Sequence, residues 1–293
     1  MLELDGTAEV SVVITTYNRP DRLEKALRTV LNQTYKKIEI VVIDGANSIK
    51  NKEVIDKFNN PKIHLYNVEP RYVKAKSWIG VQHARNVGCK FSKGKYIAML
   101  DDDDEWDRNK IKEQINIFKK DKEEKIGIVL CYSQIINGNG NSIDETKQDP
   151  NYKDLLKSFN IQPTSTFMIR RSILEEVGWW NESLRGMHEY DIALKMAKKN
   201  YRIVTIPKPL MFRHRIASKK SSYYYIKIAE VMDMWENYGK DFIPYIGFKG
   251  FVFNGIKLVA LFGLFLSSYI IKDRVWNILH PFKFWFEQKE GLP

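Results

Sequence analysis

Lys93-Gly94-Lys95-Tyr96-Ile97-Ala98-Met99-Leu100-Asp101-Asp102-Asp103-Asp104 is the stretch from which the rest of the chain can be read. Five apolar residues, Tyr96 to Leu100, have the length and character of a buried strand, and four carboxylates follow without a spacer. Carboxylates this close repel one another and stay ionised together only in contact with water or a cation. Mg²⁺ and Mn²⁺ prefer oxygen ligands, and Mg²⁺ typically takes one or two carboxylates together with waters and substrate phosphates. The strand end is therefore expected to be a platform for a divalent metal and a diphosphate. A solvated acidic turn ahead of the helix that starts near Arg108 is the alternative, since Asp suits helix N-termini.

Working outward, Val10-Ser11-Val12-Val13-Ile14-Thr15-Thr16 is a β-branched run that ends in Tyr17-Asn18-Arg19-Pro20, as a buried parallel strand ends in a loop. Leu23, Ala26, Leu27, Val30 and Leu31 then recur at helical spacing, with Pro20 placed to open the helix. Ile38 to Ile43 is a second strand that stops at Asp44-Gly45, Ile63 to Val68 a third, and Ile79 to Phe91 a helix. The alternation predicts an α/β fold with a mostly parallel central sheet flanked by helices, and ligands in such sheets collect at the carboxyl ends of the strands. Three of those ends carry useful chemistry: Thr15 to Arg19, Asp44, and Asp101 to Asp104. Further on, Ile126 to Ile136 reads as a strand, Asn137 to Asn141 as a turn, Thr166 to Ile169 as a short strand, Tyr190 to Lys199 as a helix, and Arg202 to Ile206 as a strand closed by Pro207.

A length of 293 residues with 44% hydrophobic and 13% aromatic content is enough for a large globular domain with an appendage. The formal charge of +11 favours polyanionic partners without choosing among them. Cys89 and Cys131 lie in apolar stretches with no metal-ligand spacing and are expected to be buried free thiols. Acidic residues in Met1 to Glu9 do not suit a signal peptide, so a cytoplasmic location is expected. From about Tyr245 the composition turns aromatic and apolar; Leu258 to Ile271 lacks charge over 14 residues, between Lys257 and Lys272. That run is shorter than a bilayer span of roughly 20 residues, and Trp276, Phe282, Trp285 and Phe286 mix with basic residues beyond it. The expected division is a catalytic domain over residues 1–220 and a helical, aromatic-rich appendage over 221–293. Residues 245–293 are expected to make peripheral contact with the inner face of the cell membrane, with packing in a protein interface as the alternative.

Five segments occur in a fixed order: Val12 to Arg19, Glu39 to Gly45, Ala84-Arg85-Asn86-Val87-Gly88, Lys93 to Asp104, and Val177 to Leu184 leading to His188-Glu189-Tyr190-Asp191. Together they resemble the GT-A glycosyltransferases of family 2, inverting enzymes that use nucleotide-diphospho-sugars. The resemblance covers roughly residues 10 to 220. It implies a GT-A fold, a nucleotide-sugar donor, a divalent metal (Mn²⁺ or Mg²⁺), and a saccharide or lipid-linked glycan as acceptor. It places Asp44 at the nucleobase, where a carboxylate accepts the N3–H of uracil, so a UDP-sugar is favoured. Thr15 and Tyr17 would line the base and ribose pocket together with Arg19, and Arg85 would approach the diphosphate. Asp101 would reach the ribose and the metal, Asp103 would bind the metal, Asp102 fills the middle position, and His214 matches a position near the metal or diphosphate. Inverting transfer needs a base to deprotonate the acceptor hydroxyl. The family usually has an Asp after a Glu here, whereas this chain has His188-Glu189, so Glu189 takes the base position and Asp191 stands in reserve.

Other classes fit less well. A nucleotidyltransferase should carry a Gly-rich loop after its first strand, and Thr15 to Arg19 has no glycine. A basic membrane- or nucleic-acid-binding protein would account for the charge and the aromatic tail but not for the aspartates, and no nucleic-acid partner is expected.

Overall fold

The computed structural model describes residues 8–69, 81–137, 140–144, 149–157, 161–184, 186–214, 234 and 236–241. In chain order the elements are β1 (Val10–Thr16), α1 (Pro20–Leu31), β2 (Ile38–Asp44), α2 (Ile49–Phe58), β3 (Ile63–Asn67), α3 (Val81–Phe91), β4 (Tyr96–Asp101) and β5 (Asp104–Trp106). They continue with α4 (Lys110–Lys120), β6 (Ile126–Asn137), β7 (Gly140–Asp144), α5 (Tyr152–Lys157), a 3₁₀ turn (Thr164–Thr166), β8 (Met168–Arg170), α6 (Arg171–Glu176), α7 (His188–Lys198) and β9 (Arg202–His214). The chain divides into two compact units, Met1–Tyr238 and Gly239–Pro293. The aromatic segment over residues 245–293 lies outside the described residues. Among the described residues no helix is long and apolar enough to cross a membrane.

One sheet runs in the order β3-β2-β1-β4-β8-β6-β9-β5, with β7 on β6. The expected parallel arrangement holds from β3 to β4. Beyond β4 the sheet is mixed: the three-residue β8 is antiparallel to both β4 and β6, β9 is parallel to β6, and β5 is antiparallel to β9. Strands β1 and β2 are buried almost throughout, which explains their unbroken β-branched sequences. Leu23, Ala26, Leu27 and Val30 of α1 and Ile111, Ile115 and Phe118 of α4 share a core with Val12, Ile14, Ile40 and Val42. The alternate residues, Val13 and Ile43, face α3, where a Cβ at Gly88 would lie 2.5 Å from Val13 Cγ1 and 3.0 Å from Ile43 Cγ1. Glycine there lets the helix approach the sheet closely enough to deliver Arg85 to the strand tips.

The sequence expectations for β1, α1, β2, β3, β4 and β6 agree with the structure to within a residue or so. The expected turn after Ile136 is part of a hairpin in which Asn137 pairs with Gly140. Strand β9 continues past Pro207 and Pro209 to His214, where the sequence predicted an end at Ile206. Both cysteines are buried free thiols, and burial pushes them up to about 12 for Cys89 and about 11 for Cys131.

Candidate active site

Parallel pairing sets the tips of three strands side by side. Thr15 lies opposite Ile43 on one side and Asp101 on the other, and Thr16 lies opposite Asp44. The first loop turns at Asn18 and the second at Asn47, both in the left-handed conformation that Asn tolerates.

Asp44 is fully buried, and its two oxygens accept hydrogen bonds from the backbone N–H of Ala46 at 2.9 Å and of Ser48 at 2.8 Å. The carboxylate thereby shapes the loop that leads into α2, whose N-terminus is capped by Ser48. Tyr17 is half exposed and packs by Gly45: a Cβ at that glycine would lie 3.2 Å from Tyr17 Cδ2. This corner thus consists of an exposed ring beside a loop braced by Asp44.

Each of the four aspartates has its own surroundings. Asp101 caps β4 and accepts from Arg85 Nη2 at 2.9 Å, while its backbone N–H donates to Ser165 Oγ at 3.0 Å. Asp102 is buried and accepts from Thr16 Oγ1 at 2.8 Å and Arg19 Nη1 at 3.1 Å. Its pKa is raised chiefly by burial, against the pull of Thr16 and Arg19. Asp103 is 44% exposed, with Arg22 at 3.2 Å and Arg19 at 3.8 Å. Asp104 is buried, and burial, with Asp101 beside it, pushes its carboxyl up to about 7. Turn geometry therefore splits four identical side chains into two inward tethers, Asp102 and Asp104, and two outward acids, Asp101 and Asp103.

Arg85 is 3% exposed, with its guanidinium carbon 5.2 Å from the centre of the Trp180 ring. Nη2 serves Asp101, whereas Nε and Nη1 are buried with no hydrogen-bond partner. Two unused nitrogens on a permanently charged fork leave capacity for a ligand oxygen beside the acidic tip.

Glu189 lies in the first turn of α7 and accepts a hydrogen bond from Thr164. Burial raises its pKa, but Arg85, His188 and the Thr164 hydroxyl together outweigh burial and leave it lowered. At neutral pH this is an ionised carboxylate within the field of Arg85. Its neighbour Asp191 is placed differently. It is fully buried, pairs with Lys195 at 2.9 Å and accepts from the Tyr238 hydroxyl. His214, at the end of β9, is 2.8 Å from Glu105 through Nε2. Among the described residues no group of three or more His, Cys, Asp and Glu side chains is gathered tightly enough to hold a metal ion. Strand pairing thus brings Thr15, Asp44 and Asp101 together, with Tyr17, Arg19, Arg85, Asp102 and Asp103 around them. Asp191 and His214 are engaged by other partners.

Thr16, Arg22, Thr164, Ser165 and Trp180 belong to the same neighbourhood and were not singled out from the sequence. The Thr164-Ser165-Thr166 run was the available signal, because consecutive hydroxyl residues ahead of an apolar strand are fully buried only when something needs their hydrogen bonds.

This architecture, a parallel half-sheet with an acidic β4 tip continued by a mixed half, is the GT-A fold. The mannosyltransferase PcManGT from Pyrobaculum calidifontis, solved with GDP-Man and Mn²⁺, superposes with a TM-score of 0.60 at 18% identity, covering 94% of this chain and 82% of that one. S. aureus TarS 1–349 in complex with UDP-GlcNAc gives 0.57 at 19% identity, covering 78% and 66%. The model of glycosyl transferase family 2 matches residues 11–178, more than half of the chain, and the protein belongs to that family. It is 28% identical over 241 residues to an uncharacterized glycosyltransferase of Rickettsia prowazekii, covering 79% of this chain and 71% of the relative. It is 31% identical over 192 residues to the Escherichia coli UDP-Glc:alpha-D-GlcNAc-diphosphoundecaprenol beta-1,3-glucosyltransferase WfaP, covering 63% and 68%. The protein is a glycosyltransferase.

Proposed function

We propose that the protein transfers a sugar, with inversion, from a nucleotide-diphospho-sugar to a hydroxyl of a saccharide or lipid-linked glycan. The observation that carries this reading is Arg85: a buried guanidinium paired to the β4 tip, with two unpartnered nitrogens and within the field of Glu189. Its position suits a diphosphate between the strand tips and the base.

The donor is a UDP-sugar in this reading. Tyr17 supplies a ring for the base, Thr15 and Arg19 line the base and ribose side, and Asp44 retains acceptor capacity for the uracil N3–H after bracing its loop. The Escherichia coli relative is named for a UDP-Glc donor and TarS was solved with UDP-GlcNAc, which supports the choice, whereas PcManGT was solved with GDP-Man. Asp101 and Asp103 would hold a divalent cation, Mn²⁺ or Mg²⁺, and His214 is the further candidate ligand. The hard oxygen donors at the tip and the two unpartnered nitrogens of Arg85 fit a metal diphosphate. When bound, the cation would stabilise negative charge on the leaving diphosphate. Arg85 would neutralise the same charge from the protein side, and Glu189, kept ionised, would accept the proton of the attacking hydroxyl. Asp191, enclosed by Lys195 and Tyr238, would hold α7 in place so that Glu189 faces the donor.

The lipid-linked acceptor is supported by the diphosphoundecaprenol substrate in the name of the Escherichia coli relative and by the aromatic, basic composition of residues 245–293. These would keep the enzyme at the inner membrane face. A thermal-shift panel of nucleotide sugars with Mn²⁺ tests the donor reading, since a ligand that binds only the native state raises the melting temperature. UDP-sugars should give the largest shifts, and no shift with any member would end it. Membrane association undiminished after deletion of residues 245–293 would end the peripheral-contact reading.

A further inference from the structure

Every carboxylate at the β4 tip faces an arginine. Asp101 pairs with Arg85 at 2.9 Å, Asp102 with Arg19 at 3.1 Å, and Asp103 with Arg22 at 3.2 Å and Arg19 at 3.8 Å, while Arg213 acts electrostatically on Asp104. The four carboxylates are thus balanced by cations that the fold itself supplies. Two of these arginines differ in kind. Arg85 is buried and keeps two nitrogens, Nε and Nη1, without a hydrogen-bond partner. Arg22, in the first turn of α1, is 39% exposed and lies on Asp103, the most solvent-accessible acid of the four.

A divalent cation approaching Asp103 from solution meets Arg22 and Arg19, both within 4 Å of Oδ2 of that carboxylate. Like charges so close, partly shielded by water, weaken cation binding by about tenfold. A diphosphate reverses that balance. It brings at least two negative charges, and its oxygens can serve the cation and the displaced guanidinium groups at once.

We propose that Arg22, together with Arg19, acts as an internal counter-ion that competes with the divalent cation for Asp103, so that the protein takes up its metal with the nucleotide diphosphate rather than before it. This rests on the donor and metal reading above and adds an order of assembly and a residue, Arg22, to which that reading gives no role. One consequence is that a free divalent cation loads the site only weakly on its own.

The test titrates Mn²⁺ into the full chain and follows the free-ion paramagnetic resonance signal, alone and with UDP or GDP, corrected for chelation by the nucleotide. Wild type should bind Mn²⁺ weakly alone and at least tenfold more tightly with a diphosphate. Arg22→Gln should bind Mn²⁺ alone about tenfold more tightly than wild type, and Arg22→Lys, which keeps the charge, should behave as wild type. An Arg22→Gln affinity equal to or below wild type, with nucleotide coupling intact, overturns the counter-ion role and leaves the donor reading standing. Wild type that binds Mn²⁺ equally well with and without a diphosphate overturns the order of assembly. If in addition Asp103→Ala binds Mn²⁺ as wild type does, the metal reading falls and the counter-ion role with it.

Discussion

Two arginines buried against aromatic rings sit at opposite ends of β4, and they are used differently. Arg170, opposite Tyr96 at the start of the strand, is 1% exposed and spends all three guanidinium nitrogens: Nε on Ile126 O at 3.2 Å, Nη1 on Glu124 at 2.9 Å and Nη2 on Asp121 at 2.9 Å. Its guanidinium carbon lies beside the stacked pair of Tyr96 and Phe118, 5.5 and 5.3 Å from the ring centres. Arg85, at the other end, is nearly as buried and has a ring contact too, yet two of its nitrogens are unpartnered. A satisfied buried charge belongs to the fold, whereas an unsatisfied one costs stability and persists where a ligand completes it. A contrast of exposure occurs two residues apart on α7, where Asp191 is fully enclosed and Glu189 is only partly buried.

The α7 pair gives the largest expected effect. Glu189→Gln should lower turnover by about 10²- to 10⁴-fold while donor binding and melting temperature stay near wild type. Asp191→Asn should do the reverse, losing less activity but destabilising the protein by roughly 1–3 kcal/mol, because a buried ion pair with Lys195 is broken. Steady-state kinetics with chemical denaturation on both variants decides the matter, and the opposite ranking would move the base to Asp191.

The two arginines provide the next test. Arg170→Met leaves Asp121 buried without its charge partner and should cost about 3–5 kcal/mol in urea unfolding. Arg85→Met leaves Asp101, about a third exposed, to be solvated, so it should cost under about 1 kcal/mol. It should nevertheless weaken UDP binding by roughly tenfold or more. Equal losses of stability would erase the distinction.

A third buried cation lies between these cases. Lys110 is fully buried, donates to Gln114 Oε1 at 2.9 Å and lies 3.9 Å from the centre of the Trp106 ring; burial lowers its pKa to about 8. A base depressed in the folded state makes folding release a proton between about pH 8 and the unfolded value of 10.5. Stability from this group therefore rises with pH across that window. The buried thiols act oppositely above pH 9, so pH 8 to 9 is the clean interval. There, wild-type stability should gain on Lys110→Met by roughly 1 kcal/mol per pH unit at most. Parallel profiles would mean that Lys110 stays charged in the fold.

Legibility followed burial. Strands β1, β2 and β4 were readable because both of their faces are covered, and α1 because its apolar stripe is wide. Helix α2 was missed because only Asn51, Val54 and Ile55 are buried on an otherwise charged segment. Strand β9 outran its predicted end because register shifts around Tyr132 of β6 accommodate Pro207 and Pro209 at positions that need no ladder donor. At the site, residues on strand tips could be located from the ends of apolar runs. Arg22, Ser165 and Thr164 could not, since they reach Asp103, Asp101 and Glu189 across 81, 64 and 25 residues of chain.

Thr164 provides the finest test of the contrast, because it helps keep Glu189 ionised without touching any other group assigned to the donor. Its hydroxyl is one of four influences that lower the Glu189 pKa, after Arg85 and His188 and ahead of a backbone hydrogen bond. Thr164→Val keeps the shape of a side chain that is 1% exposed and removes only the donor. The Glu189 pKa should then rise. Because the base acts in its deprotonated form, the acid limb of the kcat/KM profile should move to higher pH. Arg85→Met should move the same limb further, since its charge is the larger influence. If the limb stays put in Thr164→Val while Glu189→Gln is inactive, the hydroxyl orders the 3₁₀ turn and does not tune the base.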